Sequence, residues 1–309
     1  MKWPLSTNFS KLISYTTDRG KTQYTLPQDG LLVPDRQYYW RVRAKNEKGV
    51  WGDWSSTWSF IPRGPLPPLD VTLAFDADRS TGTLKWKPNP VGRKPVKFRI
   101  YGSDEKGFSA SDKPFKITVG TSKEVPSLRP ANFVTEVPAT QVEVIGAEVG
   151  LPNANRAYYR VVAVDEQGKR SGPSDFAEAP RPIIYSRPVT AAKVGSEYRY
   201  QLAAVRSLGD LRTRVVGGKE TMNYWDIESP RFSLQQGPAW LKIDEATGLL
   251  SGIPNGAGKV PVIVTATIDR EIRTLDARQL SWGLEKVVST GKQRVGVATQ
   301  KFTLEVVPK

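Results

Sequence analysis

The chain is 309 residues long and contains neither cysteine nor histidine. The absence of cysteine excludes disulfides, thiolate metal sites and cysteine nucleophiles, and the absence of histidine removes the side chain most used for acid–base chemistry near neutral pH. A chain of this length has room for two or three domains that each bury their own core.

The formal net charge is +14, and the positive excess is spread along the whole chain. It amounts to +4 in residues 1–62, +5 in residues 63–188 and +5 in residues 189–309. Because no basic arm or polybasic run stands out, the charge favours solubility or loose attraction to polyanions, and we expect no specific nucleic-acid binding. No apolar run predicts a membrane span, and the first residues do not form the apolar region of a signal peptide.

Residues 32–59 are the stretch with the clearest period. Their alternation predicts a strand with one buried side and one solvent-facing side, a turn at residues 46–49, and a further strand at residues 56–61. An earlier strand is predicted at residues 22–27. The buried side comprises Tyr38, Trp40, Val42 and Ala44, and the solvent-facing side comprises Tyr39, Arg41, Arg43 and Lys45.

This stretch resembles the sixth strand and the following box of a fibronectin type III domain. Leu32, Pro34 and Tyr38 match the tyrosine corner of that family, in which the phenol bonds back to the backbone, and residues 51–55 (WGDWS) resemble the WSxWS box of cytokine-receptor modules. The resemblance implies a partial fibronectin type III module over residues 1–62 that lacks its two opening strands. We therefore expect a fragment of a longer polypeptide, with one sheet edge open or covered by another element.

The cluster of arginines and tryptophans in this stretch supports two hypotheses. It comprises Arg41, Arg43, Trp51, Trp54 and Trp58. In receptor modules with this box, guanidinium groups and indoles interleave in a ladder, which is the structural interpretation. In the functional interpretation, exposed indoles stack on sugar rings while the arginines hold acidic groups.

The pattern recurs 119 residues later, where residues 157–174 align without gaps to residues 38–55. This repeat predicts a second sandwich, and its resemblance to the fibronectin type III family covers residues 69–180, with Trp86 as the buried tryptophan of the second strand. The copy departs from the family at Ala157, where the corner tyrosine is expected.

Two segments around this repeat have no strand pattern. The proline-rich linker at residues 62–68 is expected to be stiff and extended. Residues 107–141 are interpreted as a long insertion without an assigned role.

A second proline-spaced linker at residues 179–188 leads into a third region. Residues 237–254 closely resemble a bacterial cadherin-like immunoglobulin module, which implies such a module over residues 188–309. The motif predicts that Trp240 and Leu241 enter a core and that Gly248 forms a tight turn. Strands are predicted at residues 260–268 and 300–307, and residues 269–299 between them are an unassigned insertion. The predicted fold class is therefore all-β, with two or three immunoglobulin-like β-sandwiches in tandem.

No motif predicts catalysis, a metal site or a cofactor. Asp76-x-Asp78-x-Ser80 begins like a calcium loop but lacks the glycine and the glutamate that such a loop needs, so it predicts an ordinary turn. By resemblance, the expected function is that of non-catalytic spacer and interaction modules in a larger secreted bacterial protein, at the cell surface or outside the cell. The expected partners are other domains of that polypeptide, with a polysaccharide-degrading enzyme among them.

Two alternatives stay open. The first is a module that binds acidic polysaccharide through surface arginine, lysine and tryptophan side chains. The second, more distant, is an enzyme with paired carboxylates of the kind that glycosidases use, because such chemistry does not need histidine.

Overall fold

The computed structural model describes Tyr24, Leu26 and residues 31–113, 116–119, 123–126, 131–208, 211–216, 219–225, 228–281 and 284–309. All regular secondary structure in these residues is β-strand, which confirms the predicted all-β class of tandem sandwiches. In the same residues no helix is long and apolar enough to cross a membrane. The strand predicted at residues 22–27 lies outside the described residues, apart from Tyr24 and Leu26.

The first unit is a two-stranded antiparallel sheet of β1 (Tyr38–Trp40) and β2 (Trp58–Phe60). Tyr38 is buried, and its hydroxyl accepts a hydrogen bond of 2.7 Å from the backbone N–H of Val33. This is the bond from the phenol to the upstream backbone that the corner motif predicts.

The buried side predicted for the first strand is mostly exposed. Only Tyr38 is buried, whereas Trp40 is 40% exposed and Val42 is 52% exposed. Ala44 is exposed as well. The prediction was wrong for these three residues because alternation identifies the apolar side of a strand but not whether another layer covers it. Two paired strands form only one layer.

A complete sandwich follows. Its strands are, in chain order, β3 (Leu69–Asp76), β4 (Thr81–Lys87), β5 (Pro95–Ser103), β6 (Lys116–Val119), β7 (Lys123–Pro126), β8 (Phe133–Val137), β9 (Gln141–Ile145), β10 (Tyr158–Asp165) and β11 (Ala177–Glu178). A three-stranded sheet has the order β3-β4-β9 and a four-stranded sheet has the order β11-β10-β5-β8, while β6 and β7 pair only with each other. Side chains from both sheets, including Leu84, Trp86, Ile100 and Val161, form one core.

The interpretation of residues 107–141 as a single insertion was wrong at its end. Strand β8 lies in that range and pairs with β5 through Phe98 and Val137, Arg99 and Glu136. Val134 points into the core with 2% exposure. The preceding hairpin of β6 and β7 is a separate two-stranded sheet.

The third region forms a second complete sandwich. Its strands are β12 (Ala191–Lys193), β13 (Tyr198–Gln201), β14 (Leu211–Val216), β15 (Lys219–Trp225), β16 (Pro230–Gln236), β17 (Lys242–Ile243), β18 (Leu249–Gly252), β19 (Gly258–Ser281) and β20 (Leu284–Val307). The sheets have the orders β12-β20-β19-β16 and β13-β18-β17, and β14 pairs with β15 alone. As predicted, Leu241 is buried and Trp240 packs against the core, and Gly248 adopts a φ of 75° in a turn.

The unassigned insertion at residues 269–299 is a continuation of two core strands. Beyond the sandwich, β19 and β20 stay paired as far as Ser281 and Leu284. At about 3.4 Å per residue, the ribbon from Asp269 to its tip extends roughly 40 Å. The predicted strands at residues 260–268 and 300–307 are thus the inner halves of two 24-residue strands.

Candidate functional site

Four of the five predicted site residues come together in one stack on the first unit, joined by Lys45. The guanidinium carbon of Arg41 lies 4.3 Å from the ring centre of Trp54, and that of Arg43 lies 4.4 Å from the ring centres of both Trp54 and Trp51. The Lys45 ammonium lies 5.2 Å from the ring centre of Trp51. The order of the stack is therefore cation, indole, cation, indole, cation, and we call these five residues the ladder.

Backbone pairing between two segments holds the ladder in register. Val42 donates to the Ser55 hydroxyl at 3.0 Å, and Gly52 donates to the Ala44 carbonyl at 2.9 Å. The turn between them closes on Gly49, whose φ is 81°. Because cations at alternate positions of one segment face indoles from the other, the two sets interleave.

Trp58 does not belong to the ladder. It lies directly opposite Trp40 in the strand pair, and the two rings meet edge to face with centres 4.4 Å apart. Arg41 and Arg43 alternate with Trp40 along the chain, so Trp58 is on the other side of the sheet. The alternation within residues 56–61 does not show whether Trp58 lies on the same side of the sheet as the arginines. Only its pairing with Trp40 fixes that side.

The stacked geometry limits what the indoles can bind. Trp51 and Trp54 are 40% and 46% exposed, but cations lie over their rings from neighbouring rungs. A sugar ring stacks on an indole face, so it would have to displace a cation from the ladder. The exposed N–H groups of the cations are the part of the ladder that an acidic group reaches without such displacement.

Replacing Trp54 by alanine is expected to destabilise the pairing of the two ladder segments by about 1–2 kcal/mol, since it removes two exposed cation–π contacts worth about 0.5–1 kcal/mol each. Amide hydrogen exchange at Ser55, whose N–H donates to Val42, measures this locally. Val50→Ala is the control, because Val50 is 61% exposed and lies outside the stack. Equal exchange rates in the two variants would contradict a stabilising role for the ladder.

The segment that recurs 119 residues later has the same backbone geometry in the first complete sandwich. Val161 donates to the Ser174 hydroxyl at 2.9 Å, as Val42 does to Ser55, and the turn closes on Gly168 with a φ of 73°. The strand pairing also repeats, with Tyr159 opposite Ala177 where Trp40 lies opposite Trp58. Common backbone geometry therefore underlies both copies.

The second copy has a single half-buried arginine in place of the ladder. Arg160, which aligns with Arg41, lies 5.7 Å from the ring centre of Phe108 and 5.6 Å from that of Phe176. It donates to the Ser174 carbonyl at 2.7 Å, and burial lowers the pKa of its guanidinium. This copy thus has one half-buried cation between two phenylalanine rings, whereas the first copy has three cations interleaved with indoles.

An ion-pair network covers the outer side of the same sheet. The Asp112 carboxylate accepts hydrogen bonds from Arg99 at 2.8 Å, from Tyr101 at 2.9 Å and from Arg170 at 2.9 Å. Burial acts to raise the pKa of Asp112, but these three donors together hold it below its ordinary value.

A tyrosine inside the sandwich also has a shifted pKa. Burial raises the pKa of Tyr159, whose hydroxyl donates to a backbone carbonyl.

Histidine and cysteine are the side chains that ordinarily titrate between about pH 6 and pH 9, and the chain contains neither. The free energy of unfolding is therefore expected to be nearly constant over this range. A lowered folded pKa contributes stability that is present above the unfolded value and lost on acidification, so Asp112 loses its contribution below about pH 4. A group whose pKa is raised in the folded state contributes stability below its unfolded pKa, so the contribution of Tyr159 is lost above about pH 10.

Urea denaturation midpoints measured across pH test this prediction. The loss of stability caused by Asp112→Asn should become smaller below about pH 4. A stability deficit of Asp112→Asn that is constant with pH would contradict the assignment.

A second cluster lies where the two complete sandwiches meet. Glu228 is fully buried, and its carboxylate accepts 2.8 Å hydrogen bonds from Arg181 on one side and from Arg270 on the other. The backbones of Glu228 and Ser207 bond to each other in both directions. Tyr158 lies beneath the Arg181 guanidinium at 5.2 Å and bonds to the Ser207 hydroxyl at 3.1 Å.

Burial acts to lower the pKa of Arg181, yet Tyr158, Glu228 and Glu178 raise it overall. Sequence analysis missed this cluster. Its three charged members are separated by more than 40 residues from one another, and no motif of the chain joins them.

Neither cluster has the composition of a metal centre. Within the part of the chain that the structure describes, no group of three or more acidic side chains lies where it could hold a metal ion. The Asp76 carboxylate instead accepts from the backbone N–H groups of Asp78 and Arg79, which is the ordinary turn that the sequence predicts.

Comparison with known proteins adds no family to this geometry, since no protein-family model matches the chain and no curated protein is significantly similar to it. The resemblances to fibronectin type III and cadherin-like modules therefore stay predictions from motifs.

Proposed function

We propose that this chain is a non-catalytic spacer and interaction element of a larger secreted bacterial protein, and that it holds its two complete sandwiches in a fixed mutual orientation. One observation carries the proposal. Ile183 and Ile184 are consecutive residues, but Ile183 is buried in the core of the first complete sandwich and Ile184 in the core of the next. No free chain separates the two cores at this point, so rotation of one against the other would expose apolar side chains.

The surrounding contacts support the same proposal. Residues 183–185 pair with residues 203–205, because Val205 donates to the Ile183 carbonyl at 2.9 Å and Tyr185 donates to the Ala203 carbonyl at 3.0 Å. Val205 also enters the core of the first complete sandwich. The proline-spaced linker predicted at residues 179–188 is therefore packed on both sides, and its stiffness comes from burial as well as from proline.

Distance measurements between spin labels test the fixed orientation directly. Because the chain has no native cysteine, Asp78→Cys and Asn255→Cys place one label on an exposed turn of each sandwich. A single narrow distance distribution is expected. A broad distribution, as given by two freely rotating domains, would overturn the proposal.

The motif resemblances support the wider setting. Modules of the two resembled families commonly accompany polysaccharide-degrading domains in secreted bacterial proteins, so we place the parent protein at the cell surface or outside the cell. Its partners in this proposal are the other domains of the same polypeptide.

A second candidate function is binding of acidic polysaccharide at the ladder. The observation in its favour is the row of three cations, Arg41, Arg43 and Lys45, at the surface of the first unit. Retention on pectin or heparin columns should then decrease more for Arg43→Gln than for Arg79→Gln, which removes the same charge from an exposed turn far along the chain. Equal decreases, or retention that vanishes near physiological salt, would reduce the binding to nonspecific attraction.

A further inference from the structure

A cleft lies where the first unit meets the first complete sandwich. It has a volume of 360 Å³ and is lined by Asp35, Arg63, Gly64, Gly92 and Arg93. The predicted linker of residues 62–68 forms part of its wall, because Gly64 accepts a 3.0 Å hydrogen bond from the Arg93 backbone N–H and Pro65 pairs with Gly92. The linker is therefore packed at this point, and the cleft is bounded by three separate segments.

Two of the residues that line the cleft are arginines. Arg63 is exposed, and among the described residues it has no ion-pair or hydrogen-bond partner. Arg93 uses its Nη1 group on Gln167, with the Asp165 carboxylate 3.6 Å away. Because a guanidinium carries five N–H groups in a planar fork, both arginines have donors left for a carboxylate or sulfate.

A carboxylate lines the same cleft. The Asp35 side chain is exposed and, within the described part of the chain, bonds to no other side chain. Its backbone is fixed in the left-handed region at a φ of 61°, and its N–H donates to the Pro62 carbonyl at 2.9 Å. An ionised carboxylate only accepts hydrogen bonds, so Asp35 suits hydroxyl groups.

Gly92 allows the backbone of the linker to pack closely against the sandwich at the cleft. Its φ is 85°, and a Cβ atom there would lie 2.9 Å from the Gly64 carbonyl oxygen. Any side chain at this position would push the linker away from the sandwich.

From this arrangement we infer that the cleft binds one acidic sugar residue, a uronate, with its carboxylate on Arg63 and Arg93 and its ring hydroxyls on Asp35. The volume accommodates one pyranose ring. Two cationic donors and one carboxylate acceptor in the same cleft match a ligand that carries both an anion and hydroxyl groups, whereas a bare anion would offer no donor to Asp35. The inference shares the ligand class of the second candidate function, an acidic polysaccharide, but it places the sugar in the cleft as an alternative to the ladder.

Titration calorimetry of the whole chain with trigalacturonic acid tests the inference, with neutral galactotriose as the matched ligand. Trigalacturonic acid should bind and galactotriose should not bind measurably. Arg63→Gln is expected to weaken the binding about tenfold, as loss of a charge-assisted hydrogen bond does. Arg79→Gln, which removes the same charge outside the cleft, should leave it unchanged. Absence of binding by the unmodified chain, or equal losses in the two variants, would overturn the inference.

Two further variants separate the cleft from its alternatives. Asp35→Asn keeps a residue that tolerates a positive φ and should weaken trigalacturonate binding, whereas tighter binding would identify a simple anion site and overturn the sugar assignment. Arg43→Gln tests the ladder as the competing site, and binding in the cleft requires that it weakens trigalacturonate binding less than Arg63→Gln does. If Arg43→Gln abolishes binding and Arg63→Gln does not, the ladder is the site and the cleft is not.

Discussion

Replacing Glu228 by alanine is expected to lower the free energy of unfolding by about 3–5 kcal/mol, the usual effect of removing one partner from a buried ion pair. Glu228 has no exposed surface, and the Arg181 side chain that it pairs with is only 8% exposed. Without the carboxylate, the Arg181 guanidinium stays buried with a weaker set of acceptors. Urea denaturation followed by tryptophan fluorescence measures the loss.

Glu245→Ala is the matched control for this experiment. It removes the same charge from the same sandwich, but Glu245 and its partner Arg231 are 64% and 61% exposed. An exposed pair contributes about 0–1 kcal/mol. If the two variants lose equal stability, the junction cluster is not a structural anchor.

The junction also links stability to orientation. Arg181 belongs to the linker and Arg270 to the base of the long ribbon, so Glu228 joins the two sandwiches and the ribbon through one carboxylate. A Glu228→Ala chain that carries the two spin labels should therefore show a broader distance distribution than the parent chain. An unchanged distribution would mean that Ile183 and Ile184 hold the orientation by themselves.

Replacing Gly252 by alanine is expected to cost about 3 kcal/mol, the upper part of the range for overpacking a core. A Cβ atom at position 252 would lie 2.2 Å from the Trp240 carbonyl oxygen and 2.9 Å from its Cε3 atom. The Trp240 carbonyl oxygen is a backbone atom, so a change of side-chain rotamer cannot relieve this contact. Strand β18 or the segment that carries Trp240 must move instead.

Gly256→Ala is the control for this substitution. Gly256 lies four residues further on, at an exposed turn, and a Cβ atom there would have no neighbour within 4 Å. Its effect is expected to stay within about 0.5 kcal/mol. A thermal melt of the two variants decides the question, and equal melting temperatures would contradict the close approach at Gly252.

Local patterns predicted the strands that bury one side against a complete partner layer. Residues 260–268 and 300–307 were predicted as strands, and β19 and β20 include these positions. The stacking of Arg41 and Arg43 with Trp51 and Trp54 was one of two hypotheses, and it came from the resemblance of residues 51–55 to the box of cytokine-receptor modules.

Patterns failed where a partner from elsewhere in the chain decides the outcome. Strand β8 was read as part of an insertion because only its pairing with β5 identifies it as a sheet member. Trp58 was grouped with the ladder because its side of the sheet depends on its register with Trp40. The long ribbon was missed because the pairing of β19 with β20 continues beyond the last core residues.

The order of residues alone thus specifies the all-β class and the repeated strand–turn–strand unit, since each depends on periods and turns within about 20 residues. The clustering of Arg181, Glu228 and Arg270, the division of Ile183 and Ile184 between two cores and the cleft at Arg63 and Arg93 appear only in three dimensions. These contacts join segments far apart in the chain, and their geometry depends on how the sandwiches pack, which no local period encodes.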